Sequence, residues 1–449
     1  MRRHLLTGRF GSKDTVKVPK ASDEQLSTLD LLAGDRLAHG IGYALTNMAE
    51  LNLEPSEVAV DLMIVAAHIH AADTRLARAT ESQDGWSREI RLVVPVSNPT
   101  LWSGASSVLK RALDFLTGDR WQIGFRRRPE KFATIAKARP RPLDPVSFDA
   151  VNLFSGGLDS LIGAIDHLHS GGLPLLVSHA GEGAVSKSQE ECFEVLKEGF
   201  PKSAFDRLRI WMAFGDGLID GVESESTTRG RSFLFFSLGV AAGVGLGKKF
   251  VLRVPENGLI ALNVPLDPLR LGALSTRTTH PFYMARWNEL LDVLGINGAL
   301  TNPYWDKTKG EMATQCADRD LLKRAAPHSL SCSSPAKARW KGQSQGHCGY
   351  CLPCLIRRAS LLGDDPTYYG VPDLTAGTLD TRQAEGQQVR SFQLAIRRLA
   401  ERPDVAKLLI HKPGPLSDYP DRTDAYADVY RRGLEEVGAL LAGVRTAPS

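Results

Sequence analysis

The sequence has no apolar run long enough to cross a bilayer. The longest, Phe233 to Gly247, is broken by Ser237, and it falls short of the roughly 20 residues that a membrane-spanning helix needs. Gly239, Gly243 and Gly247 recur at every fourth position of that run. The plain reading is a buried helix whose glycines let it lie close to a sheet. A secretory signal is also missing: Arg2, Arg3 and His4 open the chain, but no sustained apolar core follows. The net charge is only +4, which permits an anionic substrate; nucleic acid is not expected as the direct substrate, and a membrane is not expected as a partner. No internal repeat or coiled-coil pattern is present. Cysteine is scarce, and four of the six, Cys332, Cys348, Cys351 and Cys354, fall in one short stretch. Without a secretory signal, that clustering favours metal over disulfides, and a reducing cytoplasm.

Two common nucleotide motifs are absent as well. A Walker A loop reads G-x-x-x-x-G-K-[ST]. The nearest stretch, Gly243-Val244-Gly245-Leu246-Gly247-Lys248-Lys249, lacks the first glycine at the right offset and the final hydroxyl. No G-x-G-x-x-G fingerprint follows any strand legible in the pattern. What is present is Ser155-Gly156-Gly157-Leu158-Asp159-Ser160. It follows the apolar run Val151 to Phe154. It precedes a helical pattern in which Leu158, Leu161, Ile162, Ile165 and Leu168 share a face. A strand that feeds a glycine turn opening a helix aims backbone N–H groups and a helix dipole at one small volume, which suits phosphate. Ser155 and Ser160 can donate to phosphate oxygens, and Gly156 and Gly157 allow close approach. Asp159 would repel phosphate unless it holds Mg²⁺ or fixes the loop.

The surrounding pattern is strand, helix, strand, helix. Leu173 to His179, Leu208 to Phe214 and Phe250 to Val254 read as strands. Such alternation predicts a parallel, doubly wound α/β sheet with ligands at the carboxyl ends of its strands. That edge would carry the Ser155 loop, His179-Ala180-Gly181-Glu182-Gly183, Gly215-Asp216-Gly217 and Pro255-Glu256-Asn257-Gly258. Residues 1–145 read as an N-terminal α/β accessory module, with a helix over Val58 to Leu76 and a strand over Ile90 to Val96. His68 and His70 stand two apart and so do not face each other on a helix; they are not a metal pair. Arg126 to Pro142 is basic and proline-rich, and reads as a solvated linker or as an electropositive rim. Residues 146–330 form the catalytic domain, 331–365 a knuckle and 366–449 a helical tail.

The cysteines have the spacing C-x15-C-x2-C-x2-C. Four thiolates suit a closed tetrahedral Zn²⁺ site. His347 could replace one thiolate, Cys316 is the reserve ligand, and an iron–sulfur cluster is the chemical rival.

The Ser155–Ser160 stretch resembles the signature of the PP-loop ATP pyrophosphatases. Within that superfamily the chain is similar to the 7-cyano-7-deazaguanine synthases, the QueC family. Gly230-Arg231-Ser232, Asn302-Pro303, Lys309-Gly310-Glu311-Met312 and the cysteine knuckle with Arg357-Arg358 carry the likeness. It covers residues 149 to 365 or so. The long Cys332–Cys348 spacer, the N-terminal module and the tail depart from it; these resemble longer family members of anti-phage defence operons, such as QatC.

The resemblance implies an adenine nucleotide α-hydrolase-like sheet and a cytoplasmic ATP-dependent carbon–nitrogen ligase. ATP, Mg²⁺ and Zn²⁺ are the implied cofactors. Ser155, Gly156, Gly157, Leu158, Asp159, Ser160 and His179 would bind the nucleotide. Asp159, Arg231 and Lys309 would serve catalysis, with Glu311 orienting Lys309. Cys332, Cys348, Cys351 and Cys354 would hold zinc. The substrate would be a deazapurine carboxylate, and the acceptor ammonia or an amine of a partner protein. A tRNA thiolation enzyme and a nucleotide-binding defence scaffold are the alternatives, and a homodimer is left open.

Overall fold

The computed structural model describes residues 3–82, 84–136, 147–181, 183–266, 277–333, 335 and 346–448. The first layer runs through β1 (Arg3–Arg9), β2 (Glu24–Asp30) and a short antiparallel ribbon of β3 (Leu32–Ala33) and β4 (Arg36–Leu37). It continues through α1 (Ile41–Glu50), α2 (Glu57–Arg75), α3 (Arg78–Glu81), β5 (Glu89–Val96), α4 (Pro99–Thr117) and β6 (Arg120–Arg127). Its four long strands form a parallel sheet in the order β2-β1-β5-β6.

The second layer holds β7 (Ala150–Leu153), α5 (Leu158–His169), β8 (Pro174–His179), α6 (Gly183–Gly199) and β9 (Asp206–Ile210). After these come α7 (Arg231–Gly245), β10 (Phe250–Arg253), α8 (Gly258–Leu262), α9 (Pro281–Val293) and β11 (Gly298–Thr301). The strands pair in parallel in the order β11-β10-β7-β8-β9. Helices cover both faces. Val151, Leu153, Leu175 and Val177 pack with α7, whereas Phe154 and Leu176 pack with α5 and α6. The strand order reverses between β7 and β10, which makes that gap the switch point of the sheet.

The remaining elements are α10 (Lys309–Thr314), α11 (Arg319–Ala325), α12 (Leu352–Ser360), β12 (Thr378–Asp380), α13 (Ala384–Glu401), α14 (Ala406–Leu409), α15 (Thr423–Leu440) and β13 (Arg445–Ala447). This region is mainly helical and packs a core of its own around α12, α13 and α15.

The N-terminal layer has its own sheet but not its own core. Helix α2 is buried along nearly all its length and packs on α7, so one apolar cluster runs through both sheets. Gly239 and Gly243 bring α7 close to its own sheet, whereas Gly247 lies past the end of the helix, with φ of 67°. A Cβ on Gly243 would stand 2.3 Å from the Phe250 ring, and one on Gly239 would stand 2.8 Å from Leu252.

Three strands carry no clear pattern. β1 mixes Arg3, His4 and Thr7 with apolar residues, yet His4 pairs with Glu81 at 2.8 Å and Thr7 donates to the Val93 carbonyl at 3.1 Å. Partnered polar groups can therefore sit in a buried strand. β2 alternates weakly, and β11 is only four residues long. The strand expected to reach Phe214 ends at Ile210. The basic stretch is corrected too. Arg126 and Arg127 lie in β6, and Arg128 is buried against Glu57 at 2.6 Å and against Asp61. Residues 137–146 of that stretch lie outside the described residues. Among the described residues, no helix is long and apolar enough to cross a membrane.

Candidate functional site at the switch point

The Ser155–Ser160 loop leaves the carboxyl end of β7 and opens α5. Gly156 has φ of 80°, a left-handed conformation that favours glycine, and a Cβ there would press on Ser188 and Gln189 at 3.0 Å. Inside the loop, Ser155 and Ser160 hydroxyls stand 3.2 Å apart, and Ser160 Oγ donates to the Gly157 carbonyl at 2.9 Å. The N-cap residue of α5, Gly157, has no side chain to cap the helix. Its first N–H groups have no acceptor within the helix. The result is a concave set of donors at the positive end of a dipole, beside an exposed Ser155.

Three other segments hold this loop. Gln189 of α6 donates to the Ser155 carbonyl at 3.4 Å and to the His179 carbonyl at 3.1 Å, which stitches the loop to the end of β8. From across the switch point, Asn257 donates to Asp159 Oδ2 through its backbone N–H at 3.2 Å and its side chain at 2.7 Å. Lys309 Nζ stands 2.8 Å from Asp159 Oδ1. Asp159 and Lys309 are both buried. The Asp159 carboxylate thus fixes the loop to the start of α8 and to α10 rather than pointing away free.

Glu256, next to Asn257, is the third charged group here. Its carboxylate accepts from Thr279, and Asn302 fixes its backbone through bonds of 3.2 Å and 2.7 Å. Burial pushes this carboxyl up to about 7, against the Thr279 hydrogen bond; neighbouring Asp159 also raises it and Lys309 lowers it. A carboxyl poised near neutrality suits proton transfer.

Glu311 does not join this cluster. Its carboxylate accepts from the Thr308 N–H at 2.9 Å in a capping box that starts α10, and it pairs with Arg432 of α15. The expectation that it orients Lys309 is therefore corrected: Glu311 caps the helix that carries Lys309. Arg231 opens α7 on the other side of the loop, at the end of β8. A Cβ on Gly181 would stand 2.8 Å from its guanidinium. Glu182, next in chain, lies outside the described residues.

The cysteines converge. The sulfurs of Cys332, Cys348, Cys351 and Cys354 all lie within 4.8 Å of one another. The Cys332–Cys351 and Cys348–Cys354 pairs are both 3.9 Å apart. Zinc–sulfur bonds of about 2.3 Å in a tetrahedron put sulfurs about 3.8 Å apart, so the set fits a metal such as zinc. Cys316 lies elsewhere, in the core beneath α5. His347 is not part of the set; its Nε2 accepts the Ser331 N–H at 3.0 Å.

That last bond joins the knuckle to the loop. Leu330 N–H donates to the Gly156 carbonyl at 2.8 Å, and Ser331 Oγ accepts from the Leu158 N–H at 3.4 Å. Cys332 follows directly. The segment that leads into the cysteine cluster is thus the segment that braces the Ser155–Ser160 loop. Asn257, Gln189 and Leu330 carried no local signal of these roles, because each acts through a contact distant in sequence. The chain matches no protein-family model, and no curated protein matches it.

Proposed function

We propose that this protein is an ATP-dependent carbon–nitrogen ligase of the PP-loop type, with an adenine nucleotide α-hydrolase-like sheet. It adenylates a 7-carboxy-7-deazaguanine-type carboxylate and passes the acyl group to an amine. One observation carries the reading: the Ser155–Ser160 loop and the N-terminus of α5 lie at the carboxyl end of β7, beside the switch point, where sheets of this kind take their ligands.

In the first step a carboxylate oxygen attacks the α-phosphorus of Mg-ATP. The bond from that phosphorus to the α–β bridging oxygen breaks, and pyrophosphate leaves. In the second step the amine nitrogen attacks the acyl carbon, AMP leaves, and the nitrogen loses a proton. Ammonia as acceptor gives the amide, and a further ATP-driven dehydration gives the nitrile. An amine on a partner protein gives a nucleobase–protein conjugate, an activity suited to anti-phage defence.

The chain's part is positioning and charge neutralisation. The loop N–H groups with Ser155 and Ser160 hold the leaving pyrophosphate. Lys309, fixed by Asp159, and Arg231 offset charge that builds at the α-phosphate and carboxylate. Both Asp159 oxygens are engaged by Lys309 and Asn257, so Asp159 would hold the loop rather than a Mg²⁺ ion; Mg²⁺ bound with ATP would supply charge neutralisation at the phosphates. Glu256 accepts the proton of the attacking amine. The knuckle, with four thiolates and no open position, braces the loop and takes no part in the chemistry.

A tRNA thiolation enzyme would need a reactive thiolate. Cys192 and Cys316 are buried, and burial pushes both thiols up to about 12, which disfavours that alternative. The test is incubation with ATP and 7-carboxy-7-deazaguanine, followed by mass spectrometry. An amide, a nitrile or a protein adduct supports the proposal. No ATP-dependent consumption of the acid overturns the substrate, and ATP binding without turnover in the presence of operon partners would mark a scaffold instead.

A further inference from the structure

Two histidines from different layers meet at the end of β8. His179 closes that strand, and His70 reaches it from α2 of the N-terminal layer. Their ring centroids are 6.0 Å apart and the planes cross at 85°. Phe214 closes one side, 5.8 Å from the His70 ring. His179 is only 5% exposed and His70 7%. Even so, neither ring nitrogen of His179 and not Nδ1 of His70 makes a hydrogen bond among the described residues; the Met212 backbone bears on the His179 ring without closing a bond of good geometry. Buried polar atoms are nearly always paired, so such a cluster marks a place where something else supplies the partners.

The charged side chains that bear most on these rings are guanidiniums, of which Arg75 also faces Asp216 at 3.9 Å. Arg231 bears on both rings, and Arg75 bears on His70. Burial first, and these guanidinium groups second, hold both imidazoles neutral near pH 7, with His70 lowered to about 4 and His179 to about 3. A neutral imidazole still donates one N–H. The cluster therefore offers hydrogen-bond donors in a cationic setting, which complements an anion. The Arg231 guanidinium occupies the space a Cβ on Gly181 would take, and Gly181 lines a cleft of about 600 Å³ between α1 and the β8–β9 edge. Tyr43, Asn47 and Trp211 line the same cleft. Its volume lies in the range of small-molecule sites.

We propose that His70, with His179 and Arg231, receives the carboxylate of the acid that is activated, and that the N-terminal layer thereby supplies one wall of the site. The ring of that acid extends past Gly181 into the cleft. This assignment rests on the adenylation reading above. It gives the N-terminal layer a direct role in substrate binding. Asp73, also on α2, supports the same arrangement: it accepts the Gly230 N–H at 2.7 Å and so fixes the residue before Arg231.

The test is calorimetric titration of the full chain with 7-carboxy-7-deazaguanine, and separately with ATP. His70→Ala should weaken binding of the acid about 5- to 150-fold and leave ATP affinity within about twofold, because removing one partner of a buried hydrogen bond costs about 1–3 kcal/mol. His70→Gln, which keeps a side-chain N–H, should recover part of the loss. Melting curves check that each variant folds. Asp159→Asn should still bind the acid. Equal affinity of wild type and His70→Ala for the acid overturns the pocket, as does a loss of ATP affinity alone. If wild type binds no such acid while ATP binds, the substrate reading fails first.

Discussion

In the N-terminal sheet the strand order reverses between β1 and β5; in the second sheet it reverses between β7 and β10. Both gaps have the topology that invites a ligand, yet the fold treats them differently. At the first gap, charges answer one another. Asp61 of α2 accepts from the Ser97 N–H and hydroxyl, from Trp102 Nε1 at 3.0 Å and from Arg128. Arg126 donates to the Gly8 carbonyl at 2.8 Å and pairs with Asp14. Beside the second gap, the loop that opens α5 leaves Ser155 exposed, and Gly157 at the N-cap has no side chain to close the helix end. The lesson is that topology offers a site, and the side chains at the edge decide whether the fold fills it or leaves it for a ligand.

The sharpest way to break this contrast is to exchange what the two aspartates lose. Asp61→Ala should cost about 3–5 kcal/mol of stability, because it strands a buried guanidinium. Pyrophosphate release per folded molecule should stay within about twofold. Urea unfolding and an activity assay corrected for folded fraction measure both. Asp159→Asn should do the reverse: pyrophosphate release falls roughly 10²–10³-fold, on the scale of losing one charge-stabilising group in an active site, while the secondary structure is kept. If Asp61→Ala proved as damaging to turnover as Asp159→Asn, the first gap would not be merely structural.

A smaller effect concerns the bracing of the loop. Elemental analysis should find about one zinc per chain, and Cys348→Ser should abolish it. Because Leu330 and Ser331 tie the knuckle to Gly156 and Leu158, ATP affinity should drop about tenfold, the worth of one or two hydrogen bonds. Unchanged ATP affinity in a zinc-free chain would cut the knuckle from the site. A brown chromophore would point to iron–sulfur instead.

The smallest expected effect is a pH dependence that belongs to the second gap. Glu256 holds its proton up to about 7 in the folded chain, whereas an unfolded glutamate loses it near 4.3. Between those values the folded state binds more protons, so Glu256 makes stability fall as pH rises through that window. Glu256→Gln should flatten this part of the melting-temperature profile between pH 5 and 8. An unaltered slope would show that Glu256 titrates normally.

What the sequence disclosed was local. The Ser155–Ser160 loop, the α7 glycines and the cysteine spacing each complete their pattern within a few turns of chain. What it withheld was contact between distant elements. Lys309 and Asp159 could be listed separately, but their ion pair through the switch point could not be read. Glu311 went to Arg432, a partner on the last helix. His70 was set aside because it cannot pair with His68 on one helix; its neighbour is His179, on another element. β1 and β11 escaped because partnered polar groups and short length blur the period of a buried strand.

The central claim is that the loop at the second gap directs cleavage between the α- and β-phosphates of ATP. Phosphorus NMR of ATP incubated with the protein, magnesium and 7-carboxy-7-deazaguanine tests it most directly. AMP and pyrophosphate should appear together, and only when the acid is present. ADP with free phosphate, or intact ATP alongside bound acid, would contradict it.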